Sequence, residues 1–108
     1  MSAGRLTFTT DLEKAVKHDN RLWKSHNALG IISDLQGNYS AAISHYQSAL
    51  AINPSSPLIL NNTGYSYYLS GQDHEAEKYF SRALDLDSEY KRAIDNLALI
   101  QVKRKRYS

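Results

Sequence analysis

The residues in this chain that could carry chemistry are four histidines and one short acidic run. Two histidines bind a metal from one helix when they lie four residues apart, and no two of these have that spacing. The acidic residues alternate near an expected helix end, with no nucleophile or metal ligand beside them for acid–base catalysis. The absence of cysteine removes thiolate chemistry. We predict structural histidines, a solvated turn, and no catalytic, cofactor-binding or metal site; the residues considered are His18, His26, His45, His74, Asp85, Asp87 and Glu89.

A basic run, Lys103 to Arg106, is the other group that could bind a ligand. It could hold phosphate or an anionic surface. Cations in the last turns of a helix also complement the helix dipole, and we favour this interpretation. The formal net charge of +2 is too small to indicate nucleic acid. No apolar run approaches the roughly 20 residues that span a bilayer, so direct membrane insertion is not expected.

The elements that must position any binding site come from a repeat of 34 residues. Gly30 and Gly37 recur at Gly64 and Gly71, and Tyr46 is replaced by Phe80 in the same register. Three further positions recur, with Ala42, Ala49 and Leu50 matching Ala76, Ala83 and Leu84. A fixed period of this length is typical of a solenoid of stacked helical hairpins.

Helical spacing and chain breaks predict six helices in a single domain spanning residues 1–108. Breaks are expected at Gly37-Asn38, Asn53-Pro54 and Gly71-Gln72. Asp73 is expected to cap the helix that follows it. The fold class is all-α, a right-handed α-solenoid with two full helix-turn-helix repeats, 23–56 and 57–90. Half repeats flank them: a second helix at 10–20 and a first helix at 91–103, with another second helix beginning near Tyr107.

This pattern resembles the tetratricopeptide repeat family. The first repeat matches through Leu29-Gly30, Tyr39, Ala42, Tyr46, Ala49 and Pro54, and the second through Gly64, Tyr67, Ala76, Phe80 and Ala83. The resemblance implies a non-enzymatic protein–protein interaction scaffold that binds a peptide or protein segment in its concave groove.

A narrower resemblance is to the tetratricopeptide protein of bacterial tight-adherence (Flp) pilus assembly. It is carried by the runs Asn61 to Gly71 and Arg92 to Ile100. It implies a bacterial envelope lipoprotein that supports pilus assembly. No signal peptide opens this sequence, so an exporting segment of such a protein is expected to lie outside it. The sequence leaves the compartment undetermined.

The first helices of such a solenoid line the groove. Asn62 and Asn96 lie 34 residues apart and can hold a peptide backbone, since an amide both donates and accepts hydrogen bonds. Tyr65 and Tyr68 add rigid contact area. The alternative is that the asparagines bond neighbouring helices or water. The groove candidates are Lys24, Asn27, Ile31, Asn61, Asn62, Tyr65, Tyr68, Arg92, Asn96 and Leu99, with Asp34 and Asp95 on the same rows.

Chaperone-binding members of the family hold a C-terminal carboxylate between Lys and Asn on one helix, Asn on the next, and Lys and Arg on the third. The corresponding residues here are Asn27 and Ile31, then Asn62, then Arg92 and Asn96. Only Asn62 clearly fits, so we do not expect this mode of binding.

A second functional class remains open on the sequence alone. Half repeats at both ends would leave apolar faces partly uncovered, at Leu12, Val16, Ile94 and Leu97. Terminal repeats normally need polar capping. The alternative function is therefore a structural module that forms homo-oligomers through its uncapped ends.

Overall fold

A computed structural model of the chain describes residues 22–107. Within them lie five α-helices and no strand. The helices are α1 (Trp23–Leu35), α2 (Tyr39–Ile52), α3 (Pro57–Leu69), α4 (Asp73–Leu86) and α5 (Lys91–Tyr107). The second helix predicted at residues 10–20 lies outside the described residues.

The breaks between paired helices follow from local backbone chemistry. Gly37 and Gly71 adopt φ values of +76° and +84°, a left-handed conformation that side chains disfavour, and so they end α1 and α3. Asn38 Oδ1 then accepts the Ala41 N–H at 3.3 Å and caps α2. Ser56 Oγ accepts the Ile59 N–H at 3.2 Å and caps α3, whose first residue is a proline.

Two predictions about helix ends need correction. Asp73 does not cap α4, because Gln72 holds the N-cap position and Asp73 is the first helical residue. The Asp73 carboxylate instead binds Lys103 Nζ at 2.8 Å. α5 continues past Lys103 to Tyr107, so no second helix begins there. The last turns of α5 have no glycine or proline to break them, and ion pairs tie them to α4.

The helices pack in two layers. α1, α3 and α5 form one layer, and each of α2 and α4 lies between two of them. The paired glycine and aromatic positions set the close approach within each hairpin. A Cβ on Gly30 would lie 2.4 Å from Tyr46 Cε1, and one on Gly64 would lie 2.7 Å from Phe80 Cε1. The all-α solenoid expected from the repeat is therefore confirmed.

The core is built from small and aromatic side chains. Small residues let the helix axes approach, and one ring per hairpin fills the remaining volume. The buried members of α2 and α4 include Ala42, Tyr46, Ala49, Ala76, Phe80 and Ala83. No helix among the described residues is long and apolar enough to cross a membrane.

Candidate functional site

We call the side of α1, α3 and α5 that faces away from α2 and α4 the groove face. It presents an apolar row, with one side chain on each helix at intervals of 34 residues: Ile31, Tyr65 and Leu99. These side chains are 42%, 40% and 49% exposed. On the opposite side of α3, Leu60 is fully packed against its neighbours. The groove face therefore offers apolar contacts on all three first helices.

The asparagines of the groove face bond to one another across neighbouring helices. Asn62 Nδ2 donates to Asn27 Oδ1 at 2.9 Å, and Asn96 Nδ2 donates to Asn61 Oδ1 at 3.0 Å. Asn27 and Asn61 are buried, whereas Asn62 and Asn96 stay partly exposed. The alternative drawn from the sequence, that asparagines bond neighbouring helices, thus holds for these two pairs. Ligand binding by Asn62 and Asn96 stays a prediction.

The two groove tyrosines form a stacked pair. The Tyr65 and Tyr68 rings lie with their centroids 6.1 Å apart and their planes at 26°. Lys103 Nζ lies 5.4 Å from the Tyr68 ring centroid while it also binds Asp73. A cation over an aromatic face is attracted by the ring quadrupole, so this contact favours the observed position of the Tyr68 ring.

Charged groove candidates lie toward the starts of their helices. Lys24 is exposed, with its Nζ 5.8 Å from the Trp23 ring centroid. Arg92 is exposed on α5. Asp95 Oδ2 lies 3.3 Å from Lys91 Nζ, which is an exposed pair within one helix. Such a pair contributes little to stability.

A polar cluster that the sequence analysis missed joins α1, α2 and α3. The buried Tyr46 hydroxyl donates to Asp34 Oδ2 at 2.9 Å, and Ser66 Oγ donates to the same oxygen at 2.7 Å. Burial, followed by the hydrogen bond to Asp34, raises the pKa of Tyr46 well above its ordinary value, so the hydroxyl keeps its proton. Asp34 is therefore committed to the packing of three helices.

The repeat register contains a signal for this cluster. A tyrosine needs a partner for its buried hydroxyl, while the phenylalanine of the second repeat does not. One repeat later, all three positions hold different residues, none of them charged and two of them fully apolar. The replacements for Asp34, Tyr46 and Ser66 are Tyr68, Phe80 and Ile100.

The described histidines are spread over three helices. His26 lies in α1, His45 in α2 and His74 in α4, while His18 is outside the described residues. Neither ring nitrogen of His26 has a hydrogen-bond partner within the described part of the chain. Burial, and to a lesser degree His45, lower the pKa of His26. No group of three metal-binding side chains occurs among residues 22–107.

The acidic run and the basic run both take part in local structure. Asp87 Oδ1 accepts the Glu89 N–H at 3.1 Å in the turn before α5. Lys103 binds Asp73, and Arg104 forms an ion pair with Glu77. The basic run therefore fastens α5 to α4 in addition to lying at a helix C-terminus.

Two family models match this chain. One, described as TPR repeat, matches residues 35–71, and the other, described as Tetratricopeptide repeat, matches residues 57–90. Together they cover somewhat more than half of the sequence. Human Tetratricopeptide repeat protein 6 is 34% identical over 70 residues, which are 65% of this chain and 14% of that protein.

Solved structures show the same architecture. The TPR domain of Sgt2 from Aspergillus fumigatus has a TM-score of 0.74 and 29% identity, covering 79% of this chain and 56% of that one. The second TPR of Spaghetti (RPAP3), bound to the HSP90 peptide SRMEEVD, has a TM-score of 0.75. At 22% identity, with 86% of this chain and 85% of that one covered, it shows a shared fold alone.

The packing of Gly30 against Tyr46 recurs as Gly64 against Phe80. A common hairpin is thus used twice in the stretch that the two models match. The chain belongs to the tetratricopeptide repeat family.

Proposed function

We propose that this chain is a protein–protein interaction scaffold that binds a peptide segment on its groove face. The observation that carries the proposal is the exposed row Ile31, Tyr65 and Leu99. Apolar side chains that are grouped on one face, as opposed to scattered singly, mark protein interaction sites. Rigid aromatic contacts such as Tyr65 and Tyr68 are frequent anchors in protein interfaces.

One of the similar structures supports the class of ligand. The RPAP3 domain holds a short peptide, and its layered helices have the same fold as those of this chain. A short peptide is thus the kind of partner that we expect such a surface to accommodate.

The mode of binding that we propose does not depend on a terminal carboxylate. A clamp for that group needs several convergent cations and amides. In this chain Ile31 occupies one of those positions, and the Asn27 side-chain oxygen accepts a hydrogen bond from Asn62. The groove face is better suited to an internal peptide segment.

The test uses peptides selected from a phage-displayed random library on the immobilised chain. We expect synthetic versions of the selected peptides to lose at least about tenfold in affinity for Tyr65→Ala, because a central aromatic anchor is worth about 2 kcal/mol or more. Leu86→Ala is the matched control, since Leu86 is also an exposed apolar residue but lies on α4. Peptides that bind Tyr65→Ala as well as the wild type would refute groove binding.

A second candidate function is self-association through open helix faces. Leu29 and Ile32 on α1 are 43% and 49% exposed, yet their equivalents on α3, Thr63 and Ser66, are fully buried. Ile94 on α5 is likewise 45% exposed, while Leu97, the other described residue expected to be uncovered, packs against the core. No helix among residues 22–107 covers these α1 and α5 faces.

Light scattering with size-exclusion chromatography tests this second function. We expect a molar mass that rises with concentration for the wild type and stays monomeric for Ile94→Asp, which places a charge in the contact. Leu86→Asp, on α4, is the control for added charge. A monomeric wild type at high concentration would reject self-association.

A role in bacterial pilus assembly, as part of an envelope lipoprotein, rests on the sequence resemblance alone. None of the proteins compared above is named for such a role. Co-purification of this chain with pilus-assembly components from a piliated bacterium would support it, and loss of the chain without any effect on piliation would refute it.

A further inference from the structure

The charge on the groove face is concentrated at one edge. α3, in the centre, contains no Asp, Glu, Lys or Arg in its 13 residues. α5, at the edge, carries Arg92, Lys103 and Arg106 on the stripe that includes Leu99, since helical residues three, four or seven apart share a face. Lys103 is paired with Asp73 of α4, so Arg92 and Arg106 are the cations that this stripe exposes. Asp95 is the acid on this stripe, and its carboxylate is paired with Lys91.

The opposite edge of the groove face, on α1, has no comparable excess of charge. Lys24 stands at the start of α1, seven residues before Ile31. Near its end Asp34 accepts hydrogen bonds from Tyr46 and Ser66, so its carboxylate is already satisfied. Leu35 beside it is 82% exposed. The face thus changes from mainly uncharged on α1 and α3 to positive on α5.

We infer that the occupant of this groove is an extended peptide with apolar side chains over α1 and α3 and acidic side chains over α5. This inference rests on the peptide-binding function proposed above and adds the chemistry and direction of the ligand. Attraction between the acidic side chains and the cations of α5 fixes the register of the peptide, which the apolar row alone would leave undefined.

The size of the groove face matches a short segment. Packed helices lie about 8–10 Å apart, so α1 and α5 are separated by about 16–20 Å across α3. An extended peptide covers that distance with about five or six residues at about 3.3 Å each. Asn62 and Asn96 lie along this path, and each amide has a second N–H and an oxygen for the peptide main chain beyond its interhelix bond.

The three cations on this stripe of α5 have different roles. Lys103 binds Asp73 at 2.8 Å and lies over Tyr68, so its replacement would disturb the fold of the site. Arg92 and Arg106 are exposed residues at the two ends of the stripe, seven residues on either side of Leu99. A helix rises 1.5 Å per residue, so these two arginines lie about 21 Å apart along α5 and an acidic end above Leu99 can meet one of them. We expect it to meet Arg106, because Asp95 lies three residues from Arg92 and offsets its charge.

The experiment uses the same library selection on the wild-type chain, followed by affinity measurements by isothermal titration calorimetry. We expect Asp or Glu to be enriched on one side of an apolar pair in the selected peptides. Arg106→Glu should weaken binding of a synthetic selected peptide about threefold to tenfold at low salt, and less at high salt. Lys105→Glu is the matched control, because Lys105 is the adjacent exposed cation in the same helix turn and lies off the groove stripe.

A charge exchange separates recognition from misfolding. Replacing the acidic residue of the selected peptide with lysine should restore its binding to the Arg106→Glu variant. Selected peptides without acidic enrichment, or equal affinities for Arg106→Glu and Lys105→Glu, would overturn the inference. If those peptides still depend on Tyr65, the proposed groove function stands, whereas independence from Tyr65 refutes both.

Discussion

Replacing Gly30 by alanine gives a sharp test of how the hairpin packs. The added Cβ would lie 2.4, 2.6 and 2.7 Å from three ring carbons of Tyr46, where carbon atoms prefer about 3.5–4.0 Å. The ring cannot simply withdraw, because it is buried and its hydroxyl is bound to Asp34. Overpacking of this kind costs about 1–3 kcal/mol, and loosening the bond to a carboxylate costs about 1.5–3 kcal/mol.

An opposing effect must be subtracted. Alanine favours a helix interior over glycine by about 1 kcal/mol. The two costs together exceed this gain, so we expect Gly30→Ala to lower the free energy of unfolding by about 1.5–5 kcal/mol. The measurement is urea denaturation followed by circular dichroism.

A double-mutant cycle isolates the clash. Tyr46→Val removes all three ring carbons that the new Cβ would meet, so in this background Gly30→Ala should be neutral or stabilise by up to about 1 kcal/mol. All four proteins are compared in the same amount of trimethylamine N-oxide, an osmolyte that keeps the weaker variants folded. A stabilising Gly30→Ala in the wild type, or the same cost in both backgrounds, would refute the reasoning.

Three further predictions concern pH, the polar cluster and the ligand. Because burial and His45 lower the pKa of His26, the unfolded chain binds that proton more tightly, and stability should fall as the pH drops below the ordinary value of 6.5. His26→Gln should weaken this loss of stability in denaturation curves. An identical effect of the exposed His74→Gln would contradict the prediction. Tyr46→Phe should lower the free energy of unfolding by about 1–2 kcal/mol, since Asp34 loses a buried donor; an unchanged denaturation midpoint would show that water replaces the hydroxyl. The peptide SRMEEVD should bind this chain equally weakly with a free or an amidated C-terminus by calorimetry, and a tenfold loss on amidation would reveal a carboxylate clamp.

Much of the fold could be predicted because the same residue types occur at the same positions of both repeats. Glycine at Gly30 and Gly64, and the ring at Tyr46 and Phe80, recur in one register, so chance resemblance at a single site does not mislead. The end of α5 was less predictable. No residue type marks it, and its last turns are held by contacts with Asp73 and other groups of α4, which are distant in sequence.

The candidate site could be predicted in part. Helical spacing placed Ile31, Tyr65 and Leu99 on one face, and that placement needs only the period of the helix and of the repeat. Spacing could not predict which amide groups remain available to a ligand. The hydrogen bond from Asn62 to Asn27, for example, depends on the distance between two helices.

The sequence by itself determined the repeat, the helical hairpins and the residues that line each face, because these follow from local periodicity and from glycine and proline chemistry. Only the tertiary structure decided which polar groups form hydrogen bonds inside the solenoid and which remain available to a partner. Asp34 illustrates the difference: its position suggests a groove residue, but two hydroxyl groups from other helices reach it and take its carboxylate into the packing. Hydrogen bonds between side chains act over about 3 Å, so their pairing is fixed only when the helices have taken their places.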